Sequence, residues 1–225
     1  QKEVGVSSVV ATLLVQRGMD TYDEVKDFFR PKWEDLHDPF LMQDMNHAVD
    51  RINRAVDAEE KIMVYGDYDV DGTTSVALMT SFLKSLTNQV TPYIPDRYIE
   101  GYGISYQGID HAASRGISLI VALDCGVKAI DKVTYAKEKG IDFIICDHHL
   151  PGERLPAAVA LLDPKRLDCS YPFDELCGCG IGFKLIQALV KNRSLDNAIL
   201  YPYLDLVVTA IAADIVPMVG ENRTL

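Results

Sequence analysis

Apolar positions change their spacing near residue 60. Before it they recur at helical intervals; after it short continuous apolar runs alternate with amphipathic stretches. Residues 7–30 predict helix, with Val9, Val10, Leu13 and Leu14 on one face, a second segment over 22–29, and a stop at Arg30-Pro31. Residues 35–43 (DLHDPFLMQ) carry no period and predict an irregular link. From Asp44 a helix is predicted, with His47, Ala48, Ile52, Ala55 and Val56 recurring against Asp50, Arg51, Arg54 and Asp57. His47 reads as a packing or surface residue, since no acids accompany it. Residues 1–58 therefore predict a helical segment packed on the core, without chemistry of its own.

Beyond residue 60 the pattern predicts strand 61–66, helix 73–86, strand 90–94, helix 106–115, strand 118–123, helix 129–139, strand 142–146 and strand 159–162. Helices over 181–191 and 203–213 complete the chain. Strands alternating with helices predict an α/β fold, a parallel sheet with helices on both faces, over residues 59–225 and preceded by the N-terminal helical layer.

Acids gather at the carboxyl ends of the predicted strands. The first is followed by Asp67, Asp69 and Asp71 at every second position. The next lead to Asp124-Cys125-Gly126, Asp147-His148-His149 and Asp163-Pro164, and Asp214 lies within the apolar segment 211–216, where an unpaired carboxylate is expensive. Ligands of open α/β sheets bind beyond strand carboxyl ends, so a metal site is predicted there. An EF-hand loop is excluded: a strand precedes the acids, and the twelfth loop position is Leu78 rather than glutamate.

Composition narrows the chemistry. With 225 residues, 48% hydrophobic and 24% charged, the chain can bury a substantial core. No run approaches membrane-spanning length, and no signal-peptide pattern is visible. Gln1 in place of an initiator methionine predicts a fragment. The five cysteines form no framework, which predicts a reducing, cytoplasmic setting. Cys169, Cys177 and Cys179 fit no C-x-x-C pair and predict no zinc site. A net charge of −11 provides no global footprint for nucleic acid, although part of it is the ligand set itself.

Residues 92–108 (PYIPDRYIEGYGISYQG) carry Arg97, Tyr98 and Tyr102 between a strand and a helix, which suits a phosphate and a stacked base, or equally a surface loop packed on the sheet edge. Neither Gly101-Gly103-Gly108 nor Gly178-Gly180-Gly182 has dinucleotide-fingerprint spacing; the latter reads as a flexible approach to a helix.

Oxygen ligands with a single imidazole suit Mn2+ or Mg2+. Asp124 is placed to bridge two ions, the arrangement that activates water for in-line displacement at phosphorus, so phosphoester hydrolysis is predicted. Adjacent histidines after a strand should point apart, which assigns His148 to metal and His149 to the scissile phosphate.

GDYDVDG (66–72), DCG (124–126), DHH (147–149) and ADIVP (213–217) resemble, in that order, the four motifs of the DHH phosphoesterase family. QRGMDTYDEVKDFF, DPFLMQDMNHAV, IPDRYIEGYG and GCGIGFKL extend the resemblance to its single-strand DNA exonuclease branch. The resemblance implies that Asp69 and Asp71 bind the two metals, with Asp67 beside the first. Asp124 bridges them, and His148 and Asp214 complete a shell. Arg97 and Tyr102 would hold a single strand's phosphate and base. It also implies 5′ to 3′ digestion in DNA repair and recombination, with repair and replication proteins as possible partners and no membrane. Members of that branch carry a further glycine-rich domain; this chain has no Gly-Gly pair and is expected to bind metal but hold DNA weakly. Alternatives are a family member acting on short oligonucleotides or cyclic dinucleotides, and a non-catalytic replication scaffold.

Overall fold

The computed structural model describes residues 4–225. Five strands form one wholly parallel sheet: β1 (Ile62–Gly66), β2 (Val90–Tyr93), β3 (Leu119–Leu123), β4 (Asp142–Cys146) and β5 (Ala160–Leu162), in spatial order β2-β1-β3-β4-β5. Strand order reverses between β1 and β3, and such a switch point opens a crevice at the strands' carboxyl ends. The predicted acids lie around it.

Both sheet faces are covered, which explains the uninterrupted apolar strands. Ile62, Val64, Leu119, Val121, Leu123, Ile144 and Cys146 face one core, under α3 (Met45–Asp57), α4 (Val70–Lys84), α7 (Gly178–Asn192) and α8 (Leu204–Asp214). Met63, Tyr65, Ile120, Ala122, Phe143 and Ile145 face the other, under α5 (Tyr106–Ser114) and α6 (Ile130–Glu138). Residues 147–159 join β4 to β5 without a helix.

Ahead of α3 stand α1 (Ser8–Gln16), α2 (Tyr22–Phe29) and two short 3-10 turns, Trp33–Asp35 and Pro39–Leu41. Thr21 and Glu24 close a capping box on α2. The sequence places Arg51 on α3's polar face, but the structure buries it: its Nε bonds Asp142 at 2.6 Å and its NH2 bonds Glu60 at 2.7 Å, tying α3 to the sheet. Helical periodicity counts an arginine as polar; it cannot see two carboxylates arriving from elsewhere. His47 is largely exposed, with its side chain 71% accessible.

Three helix starts matter to the site. Predicted from residue 73, α4 begins at Val70 because Asp69 caps it, its Oδ1 accepting from Gly72 N at 2.9 Å, and this places Asp71 in the first turn. Predicted from 181, α7 begins at Gly178, so its glycines are helix rather than a flexible approach. Finally α8 follows a 3-10 stretch, Asn197–Tyr203, and a short unpredicted helix, α9 (Gly220–Thr224), ends the chain.

No helix among the described residues is long and apolar enough to cross a membrane.

Candidate metal centre

The crevice collects carboxylates from three separate stretches onto one imidazole. His148 Nε2 lies 3.3 Å from Asp124 Oδ1, 3.7 Å from Asp214 Oδ2 and 3.9 Å from Asp71 Oδ2. Two metal-competent groups result, Asp124-His148-His149 and Asp71-His148-Asp214, with the ligand atoms of each within 4.8 Å of one another. Neither contains a cysteine, and all five cysteines are free.

Each carboxylate has a local reason for its position. Asp71, in the first turn of α4, accepts from Gly178 N at 2.6 Å and Cys179 N at 2.7 Å, so the amino end of α7 grips it with both oxygens. Burial nevertheless outweighs those bonds and raises its pKa. Asp124 follows β3 in a left-handed conformation, φ 57°, which an aspartate tolerates better than most residues. Burial, with Asp71, Asp69 and Asp147 nearby, pushes it up to about 10. Asp214 ends α8, and its side chain is 30% exposed. The expectation of an acid enclosed in an apolar segment is therefore corrected: Ile215, just after it, adopts φ 58° and stands in solvent. A carboxylate at a helix's carboxyl end opposes the helix dipole, a position that a bound cation would favour.

The histidine expectation also changes. The two rings lie 4.6 Å apart at their centroids, and both reach Asp124. Strand alternation does not apply, because β4 ends at Cys146 and Asp147 Oδ1 accepts from the backbone N–H of both His148 (2.8 Å) and His149 (3.1 Å), curling the chain. The same oxygen lies 2.7 Å from His149 Nδ1. That bond raises the His149 pKa, leaving Nε2 toward Tyr102 Oη at 3.4 Å. Burial pushes Asp147 up, yet His149 and Val127 N–H together hold it below the usual carboxylate range.

Asp67 and Asp69 fall outside both groups. Asp69 caps α4, whereas Asp67 is fully buried and neither of its oxygens has a hydrogen-bond partner. Burial raises its pKa. Asp124 Oδ2 is likewise buried and unpartnered. Such acceptors cost about 1–3 kcal/mol each, more if charged. Hard oxygen donors left without partners beside an imidazole fit Mn2+ or Mg2+ better than a softer ion. Asp163, at the end of β5, stays outside the groups; burial lifts it to about 6 while its Oδ1 accepts from Lys165 N at 2.8 Å.

Arg97 and Tyr102 lie on the loop after β2, and Tyr102 reaches His149 at the crevice. Arg97 Cζ sits 4.8 Å over the Tyr68 ring, and Tyr68 meets Tyr102 edge-on at 6.1 Å. Glu100 holds the loop, accepting from Tyr93 Oη, Asp96 N and Ser105 Oγ, while Tyr65 Oη donates to Gly103 O at 2.8 Å. Sequence reasoning assigned no role to Asp147, Tyr68, Glu100 or Gly178. Asp147 and Gly178 stand inside the DHH and GCGIGFKL motifs, but long-range bonds carry their roles and leave no local period.

A Cβ on Gly178 would stand 2.6 Å from Asp124 Cβ and 2.8 Å from its Cα, so α7 approaches Asp124 as only glycine allows. On Gly180 the nearest atom would be Leu176 Cδ2 at 3.3 Å. Gly178→Ala should cost about 1–3 kcal/mol and lower Mn2+ affinity; Gly180→Ala should leave the affinity unchanged. Calorimetric titration of both variants checks this, and equal affinities would refute the close-approach argument.

The sequence model of the DHH family, N-terminal domain, matches residues 61–211. The single-stranded-DNA-specific exonuclease RecJ of Bacillus subtilis is 44% identical over 224 residues, spanning 100% of this chain and 28% of its own length. A crystal structure of exonuclease RecJ bound to manganese superposes with TM-score 0.74 at 30% identity, over 81% of this chain and 46% of that one. Thermus thermophilus RecJ in complex with Mn2+ superposes at 0.75 with 25% identity, over 94% of this chain and 29% of its own. This chain thus spans under half the length of each.

Proposed function

Since the chain belongs to the DHH family, we propose that it is the metal-binding catalytic part of a single-strand DNA exonuclease, hydrolysing phosphodiester bonds in DNA repair and recombination. The observation that carries this reading is the convergence of Asp71, Asp124 and Asp214 on His148 Nε2 beside buried, unpartnered acid oxygens. Asp71, Asp124, His148 and Asp214 would hold two divalent ions, with Asp67 and Asp69 beside them. Bound Mn2+ or Mg2+ supplies charge neutralisation and lowers the pKa of water.

The chain's own residues do the rest. His149, kept protonated longer by Asp147, donates toward charge developing on the scissile phosphate. Arg97 contacts a phosphate, and Tyr68 and Tyr102 offer ring faces for a base. Five free thiols agree with a reducing, cytoplasmic setting, and repair proteins are the partners that this role implies.

The test is degradation of end-labelled single-stranded and duplex DNA by this chain with Mn2+, then with EDTA. Loss of single strand alone, stopped by EDTA, is expected; metal-independent cutting, or equal cutting of duplex, would overturn the reading.

A further inference from the structure

We propose that Ile215 is a positioning residue for the metal centre: its left-handed backbone leaves the last turn of α8 unlatched, so that Asp214 closes on the centre together with an ion rather than before it. This rests on the metal-binding reading. Ile215 follows Asp214 directly and has φ 58° and ψ 32°. Helices ordinarily give that C-terminal position to glycine or asparagine, and a β-branched residue there is strained. Its side chain is 85% exposed, so packing does little to offset the strain.

Two further observations direct the strain onto Asp214. Among the described residues α8 is the one α-helix whose C-cap N–H donates to no carbonyl of its last turn; α1 to α7 and α9 each have such a bond. Pro217 then bars the helix from extending, because the residue before a proline, Val216, is held out of the helical region. Asn222 Nδ2 donates to Pro217 O at 3.0 Å and to Glu175 O at 2.6 Å, which fixes the chain just past the bend. With that side fixed, Ile215 relaxes by unwinding residues 212–214, and this withdraws Asp214 from His148 Nε2, 3.7 Å away. Only the Asp71-His148-Asp214 group opens; Asp124-His148-His149 keeps its members. An ion that binds the wound form alone shifts the balance toward it.

Calorimetric titration with Mn2+ and amide hydrogen exchange in EDTA test this on the whole chain. Ile215→Asn and Ile215→Gly, both at ease at positive φ, should tighten one Mn2+ step about tenfold, the size of the left-handed penalty on one residue. Both should also slow exchange of the amides of residues 212–215 without metal. Ile215→Val, β-branched like the original, should behave as wild type. Glu59 supplies a control: it is exposed, has φ 51°, and lies at the opposite end of β1 from the acids. Glu59→Asn should raise the melting temperature and leave Mn2+ binding alone. In an Asp214→Asn background the gain from Ile215→Asn should vanish. Equal Mn2+ affinity in wild type and Ile215→Asn, a gain that persists without the Asp214 carboxylate, or an equal gain from Glu59→Asn overturns the role given to Ile215. Failure of wild type to bind Mn2+ overturns the metal centre itself.

Discussion

Asp124→Asn should abolish single-strand hydrolysis and, in the metal-free chain, raise the melting temperature. The two effects share one cause. Asp124 is buried, one of its oxygens has no partner, and Asp71, Asp69 and Asp147 crowd it, so its carboxylate form is disfavoured until cations arrive. An amide of the same shape removes that burden, and a chain of this size gains about 2–4 °C per kcal/mol. Catalysis loses the one carboxylate of the Asp124-His148-His149 group, and a drop of at least a hundredfold, about 3 kcal/mol of transition-state stabilisation, is expected. Melting by circular dichroism with EDTA and with Mn2+ checks it. A variant less stable than wild type in EDTA would refute the claim that the site stores repulsion for a metal to relieve.

The same carboxylates set a pH dependence. Between the unfolded value near 4 and the folded value of about 10 for Asp124, the folded chain holds a proton that the unfolded chain has lost. Stability without metal therefore falls as pH rises through that window, and Asp71, Asp67 and Asp163, all raised, act in the same direction. Asp147 acts oppositely, because its lowered pKa adds stability above the usual carboxylate range. Metal-free melting should be higher at pH 5 than at pH 8, and Mn2+ should remove most of the difference.

The strands and their acids were legible because a parallel sheet buried on both faces writes continuous apolar runs, and its switch point lies where those runs end. Less legible was whatever depends on a partner distant in sequence. Arg51 reads as polar until Glu60 and Asp142 meet it. Gly178 reads as loop until Asp71 draws its N–H and Asp124 leaves it no room for a side chain. Asp147 reads as a strand end until its oxygen gathers both following N–H groups and a ring nitrogen. Asp214 reads as buried because its neighbours are apolar, although Ile215 points outward.

Lys184→Met should destabilise the chain by about 3–5 kcal/mol, lowering the melting temperature by on the order of 10 °C, although Lys184 touches none of the acids of the metal centre. Its ammonium is wholly buried, donating to Glu221 Oε1 at 2.9 Å and to His37 O at 2.7 Å. Glu221 also accepts from His37 N at 2.9 Å and Tyr171 Oη at 2.6 Å, so one ion pair joins α7, α9 and the link before α3. Burial pulls Lys184 below the ordinary lysine range, and Glu221 opposes the shift. With the lysine gone, Glu221 is left as a buried anion facing an apolar group, the costly half of a broken pair. Lys184→Met/Glu221→Gln, which removes both charges while the amide oxygen still accepts from His37 N–H, should recover much of the loss and expose a coupling of more than about 1 kcal/mol. The segment between Asp214 and Glu221 is anchored at its far end by this pair. Mn2+ affinity should therefore fall in Lys184→Met and return with stability in the double variant. Additive losses on urea unfolding would show that the two side chains act separately and that the clamp does not exist.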